Sequence, residues 1–264
     1  MRRMLLSVLV LCCFATAAHA TQGMNLRWNS CLADGGVRNR TFACNTNTGS
    51  EQLFLSFQLD SAFAPVTGIE FSLQLTTPAG PPGSWWQFKN VGTCRQTALS
   101  ASAIGFPSGP SCVDYWQGQA SGGLTAFLFY PFPPSRMLGV FAVPEQAWAA
   151  LDPGTEYYAA RLAITHAKTV GTASCQGCLD PVCIGLERIK LTRPAGVGNL
   201  TLSTETETNS STVNWQGGSA GSTHVVDIRY FGDQIIDDSR RDLTCAAAVP
   251  ARNGTWGSIK SLYH

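Results

Sequence analysis

Leu53, Leu55, Phe57 and Leu59 alternate with Gln52, Ser56, Gln58 and Asp60, and only Phe54 interrupts the polar set. Ile69, Phe71, Leu73 and Leu75 alternate in the same way with Glu70, Ser72, Gln74 and Thr76. Successive side chains of an extended chain point to opposite faces, so each run reads as an antiparallel strand with one buried and one wet face. Pro65 and Gly68 punctuate the connection between them. Further strands are expected over 97–106, 113–119, 123–130, 136–143, 157–166, 182–192, 199–203 and 211–215. Pro and Gly gather between many of these, at 78–83, 107–110, 131–134 and 194–198. Many short strands divided by turn signals describe an all-β, antiparallel, jelly-roll-like β-sandwich. One short helix is expected over Pro144–Leu151: Pro144 suits a first turn, Glu145 complements the helix dipole, and Asp152-Pro153-Gly154 stops it.

The first twenty residues have the form of an export signal. Arg2 and Arg3 precede an apolar run from Met4 to Thr16, and Ala18-His19-Ala20 is a small-residue cleavage site. The expectation is an exported chain, secreted to periplasm, surface or medium, that begins near Thr21. Leu11 before Cys12 argues against a lipid anchor. Cys12 and Cys13 leave with the leader, so eight cysteines remain: Cys31, Cys44, Cys94, Cys112, Cys175, Cys178, Cys183 and Cys245. Outside the cytosol these should be oxidised. Of the 105 possible pairings, local closure favours Cys31–Cys44, Cys94–Cys112 and Cys178–Cys183, with Cys175–Cys245 remaining. Each bridge contributes about 2–4 kcal/mol.

Without Arg2 and Arg3, the 18 basic residues fall just below the 17 acidic ones. With 13% of residues charged, there is no electrostatic case for nucleic acid or an anionic membrane surface. No later apolar stretch is long enough to span a bilayer, so no membrane insertion is expected. The length suits one large sandwich after the leader, placed at 21–194. From about Pro194 the composition shifts. A Thr/Ser-rich hairpin over 199–215, a small-residue linker from Gly217 to Ser222 and a charged tail make 195–264 a C-terminal appendage.

The stretch from Phe54 to Leu75, FLSFQLDSAFAPVTGIEFSLQL, resembles the opening strands of cohesin-type sandwiches. EYYAARLAITH (Glu156 to His166) and the later VCIGLERIKLT resemble the closing strands of that fold. The resemblance spans 50–192. It implies a binding module close to carbohydrate-binding modules and scaffold-interaction domains, and it transfers no individual residue.

Motifs that carry chemistry have plainer readings here. Gly217-Gly218-Ser219-Ala220-Gly221 matches G-x-S-x-G with His224 nearby, but the elbow needs a strand before and a helix after its serine. Cys175-x-x-Cys178 and Cys183, with His166 upstream, have thiolate spacing for zinc. An oxidising destination favours disulfides instead, and no metal or cofactor is expected. Glu51, Asp60, Glu70, Asp114, Glu145, Asp152 and Glu156 could supply a two-carboxylate glycosidase only if the fold paired two of them. Asp227, Asp233, Asp237, Asp238 and Asp242 lack calcium-loop spacing and alternate with Arg229, Arg240 and Arg241, which describes a solvated face. Asn39, Asn199, Asn209 and Asn253 begin glycosylation acceptor triplets. The adjacent pairs Trp85-Trp86 and Tyr115-Trp116 are the ligand-binding candidates, since exposed aromatic rings stack on sugars or grip a partner.

The resulting expectation is a secreted, non-catalytic module that binds an extracellular polysaccharide or protein. The alternatives are a structural surface component docking through its appendage, and a glycan-directed hydrolase.

Overall fold

The computed structural model describes residues 22–78, 80–106, 109–128, 135–203, 211–218, 223–231 and 234–243, the last two as backbone. Its strands are β1 (Gly23–Trp28), β2 (Asn39–Arg40), β3 (Ser50–Gln58), β4 (Phe63–Val66), β5 (Gly68–Thr76), β6 (Leu99–Ser102), β7 (Cys112–Val113) and β8 (Ser121–Leu128). They continue with β9 (Ser135–Ala142), β10 (Ala149–Leu151), β11 (Glu156–Thr165), β12 (Val182–Thr192), β13 (Leu200–Ser203), β14 (Thr212–Trp215), β15 (Thr223–Phe231) and β16 (Gln234–Leu243). The smaller main sheet runs β1-β3-β11-β6, with β7 beside β11. The larger runs β2-β14-β12-β5-β9-β8, with β13 beside β12. The two sheets face each other across the apolar sets that the alternation marks. Leu53, Leu55 and Phe57 line one inner face, and Ile69, Phe71, Leu73 and Leu75 the other, all buried. The fold is all-β and sandwich-like, as expected.

Several local expectations change. The helix near 144–151 is a single 3-10 turn, Glu145–Ala147. The backbone turns extended at Trp148 and continues as β10, which pairs with β4. β4 itself occupies the expected connection between the two alternating runs. The boundary at Pro194 falls inside a sheet: β13 and β14 both pair with β12, and Trp215 is fully buried. β1 was absent from the sequence expectation although GMNLRW alternates Met24, Leu26 and Trp28 with Asn25 and Arg27. Both sets are buried, along almost the whole strand.

The disulfides are long-range: Cys31–Cys112, Cys44–Cys178 and Cys94–Cys175, with sequence separations of 81, 134 and 81 residues. None of the locally closed pairs expected from sequence occurs among them. An antiparallel sandwich returns distant loops to the same end, so neighbours in sequence need not be neighbours in space. Cys183 is also disulfide-bonded. The other six described cysteines are paired among themselves, so its partner lies outside the described residues.

Candidate functional site: an edge cleft, with the aromatic pairs in the core

Trp85, Trp86, Tyr115 and Trp116 are all buried, so they offer no exposed platform. The four rings expected as ligand contacts fill the core instead. Trp85 and Trp86 lie in a 3-10 turn, Ser84–Trp86, and not in a strand, so adjacent side chains need not take opposite faces. Both pack on Trp215, at ring-centroid distances of 5.3 and 5.4 Å, and Trp28 reaches Trp215 from β1 at 6.0 Å. Each indole N–H donates to a protein acceptor: Trp85 to Thr169 Oγ1, Trp86 to Gly177 O, Trp215 to Cys178 O and Trp28 to Asn214 O. A buried indole needs such a partner; here three come from the loop between β11 and β12, which Cys94–Cys175 and Cys44–Cys178 hold, and the fourth from β14. Tyr115 stacks on Trp116 at 4.4 Å, and the Trp116 N–H donates to Ala159 O at 3.0 Å.

Arg95 is buried within the tryptophan cluster. Its guanidinium lies 3.5 Å from the Trp85 ring centroid and donates to the carbonyls of Ala167, Trp85 and Thr165. Burial pulls its pKa down to about 9. It thus ties the 3-10 turn to the end of β11 by a cation–π contact and three hydrogen bonds.

Glu51 and Glu156, the two buried acids of the expected set, do not form a catalytic pair. Glu156 accepts from Asn25 Nδ2, Leu32 N, Ala33 N and Ser56 Oγ. Glu51 is bound by Arg40 and by His166 Nε2, while His166 Nδ1 contacts Thr48 O at 2.7 Å. Phe42 stacks on that imidazole at 3.8 Å. Glu156 pairs across β3 with Gln58, and Glu51 with Ile164, at the opposite end of the same ladder. Seven strand residues separate the two levels, roughly 23 Å, beyond any glycosidase spacing. Glu70 bridges to Lys190, and the Asp114 carboxylate accepts from Trp116 N. Cys31, Cys112 and Glu156 lie together, but both sulfurs are committed to a disulfide. Ser219 of the G-x-S-x-G match lies outside the described residues. So do Asp233 and the side chains of Asp227, Asp237, Asp238 and Asp242, the backbone of these last four belonging to the β15–β16 hairpin.

A concave feature lies elsewhere among the described residues. Where the edge strands β6 and β8 of the two sheets meet, an open cleft of about 500 Å³ is lined by Ser100, Ala101, Ser121, Gly122, Gly123 and Thr125, among others. None of the acids considered above lines it. Glycine is required at 122: its φ is +139°, and a Cβ there would run into Val140 O. The neighbouring loop controls the β8 edge, since Lys89 Nζ donates to Leu124 O and Asn90 Nδ2 to Phe127 O. Those side chains occupy the carbonyls over 124–127. The Ser121–Gly122 end remains exposed. Small residues at an edge give no periodic signal, so sequence reading passed over this cleft.

No family model matches the chain, and neither a curated protein nor a solved structure matches it.

Proposed function

We propose that the protein is an exported, non-catalytic binding module that takes an extended segment of an extracellular protein in the β6/β8 cleft. The observation that carries this reading is an open cleft between two sheet edges whose exposed β8 end, Ser121–Gly122, has almost no side-chain cover. A bare strand edge is a template for a further strand, with backbone hydrogen bonds supplying affinity. No aromatic ring lines the cleft, which favours a polypeptide over a stacked sugar. Three long-range disulfides agree with an oxidising destination. The leader that would take the chain there lies outside the described residues. The resemblance of 50–192 to cohesin-type sandwiches supports binding in the same general sense.

The test is a binding panel of extracellular proteins, extended peptides and insoluble polysaccharides, using the oxidised chain and its Ser100→Arg and Ser121→Arg variants. The expected result is a polypeptide ligand whose affinity falls at least tenfold (about 1.4 kcal/mol) in both variants. Binding to polysaccharide alone would move the ligand class. Binding indifferent to both substitutions would remove the cleft from the account.

A further inference from the structure

Lys89 is exposed, and among the described residues it is the one charged side chain lining the β6/β8 cleft. Its loop is fixed on both sides. Phe88 is buried in the aromatic cluster, Lys89 N donates to Gln96 O, and Asn90 Nδ2 donates to Phe127 O. The φ of Lys89 is +60°, in the left-handed region that glycine occupies freely and a residue with a Cβ only under strain. What lysine supplies there, and glycine cannot, is a long arm ending in a charge. The ammonium donates to Leu124 O at 3.1 Å. An ammonium carries three donors, and the other two meet no acceptor among the described residues. Lys89 is in none of the described ion pairs, and no acidic side chain lines the cleft beside it.

The β8 edge gives this charge a position relative to a bound strand. In an antiparallel ladder, the backbone groups of alternate residues leave the strand on the same side. Leu124 turns its carbonyl towards Lys89, so Gly122, two positions earlier in the regular part of the ladder, presents its backbone to the same edge. The two levels are roughly 7 Å apart. A segment that pairs at Gly122 finds the next carbonyl already taken by Lys89, and its side chains within two residues come level with the ammonium. We infer that the segment bound in the cleft carries an aspartate or glutamate within two residues of the one paired at Gly122, and that Lys89 receives its carboxylate. This inference rests on the reading of the cleft as a strand-binding site and names the residue class by which that site selects its partner. Lys89 then has two roles: it ends the open part of the β8 edge at Leu124, and it fixes the register of the bound segment by charge.

The probe is a phage-displayed library of random octapeptides, whose fused C-termini offer no terminal carboxylate, panned on the full oxidised chain. Recovered peptides should share an acidic position, and panning on Lys89→Glu should exchange that preference for Lys or Arg. One recovered peptide, made synthetically with both ends blocked, then serves for affinities. Lys89→Gln should weaken its binding by about two- to fivefold, the range of a partly exposed ion pair. Replacing the acid of the peptide by its amide should weaken binding equally, and the two changes together no further, which a merely structural role of Lys89 would not produce. Lys89→Arg keeps the charge and should keep the affinity. Ser121→Arg tests the cleft separately and should lose the peptide. Peptides lost in Ser121→Arg but without an acidic position, or with an acid indifferent to Lys89→Gln, would overturn the carboxylate assignment and leave the cleft reading intact. Peptides indifferent to Ser121→Arg, or no recovered peptide, would overturn the cleft reading and this inference with it.

Discussion

Around Trp215, four indoles, Phe42, Phe88 and the Arg95 guanidinium pack against loops held by Cys44–Cys178 and Cys94–Cys175. Around Gly122, the chain presents serine, threonine, alanine and glycine, with Lys89, Leu99, Leu124 and Val140, to an open cleft. The loop after Trp86 serves both regions. Phe88 and Arg95 turn into the aromatic cluster, while Lys89 and Asn90 reach out to the β8 edge. The large rings, the residues most suggestive of binding in the sequence, hold the fold together. The small residues, which suggest nothing in the sequence, form the accessible surface. Ring size alone does not distinguish the roles, because a tryptophan whose N–H finds a buried acceptor is as well placed in a core as on a platform.

Substitutions should separate the two regions. The largest expected effect is Trp215→Ala, which removes the ring on which Trp28, Trp85 and Trp86 converge. It should cost about 3–5 kcal/mol, read as a lowered midpoint in urea unfolding. Next is Cys44→Ala/Cys178→Ala, which frees a loop of 134 residues and should cost about 2–5 kcal/mol in the same measurement. A smaller effect lies at alkaline pH. Burial pushes the Tyr115 phenol well up, reinforced by the nearby Asp114 charge, and burial likewise raises Tyr158. Both phenols therefore ionise more readily in the unfolded chain. Their contribution is whole below about pH 10 and is lost as pH rises past it. In a spectrophotometric titration, Tyr115 and Tyr158 should stay protonated until the chain unfolds. Their ionisation in the folded chain near the usual phenol value would contradict the buried placement. The smallest effect is Ser121→Ala in the cleft, which should move stability by no more than about 0.5 kcal/mol.

The strands marked by alternation were legible, and β12 spans the expected 182–192. Alternation is a local property, so a window of eight residues suffices to read it. β1 carries the same signal, with Met24, Leu26 and Trp28 alternating with Asn25 and Arg27. What was not legible depends on distant residues. The polar side of β1 is buried as well, with Asn25 bonded to Glu156 of β11, which the sequence of β1 does not encode. Trp85 looks the same exposed or buried until Thr169 and Arg95 are placed around it. The disulfide map follows loop positions in space, so closeness along the chain misled the pairing. The cleft lies between the edges of two different sheets, Leu99–Ser102 and Ser121–Leu128, and nothing in either run of sequence places the two sheets against each other.

The most direct measurement of the division between core and cleft is a paired comparison on whichever ligand the binding panel yields. Trp85→Phe and Ser100→Arg would each be assayed for affinity and for thermal unfolding. The expected result is that Trp85→Phe lowers the melting temperature and keeps affinity, while Ser100→Arg keeps the melting temperature and loses affinity. Affinity lost in Trp85→Phe at unchanged stability, with Ser100→Arg binding normally, would contradict the account and return the site to the tryptophans.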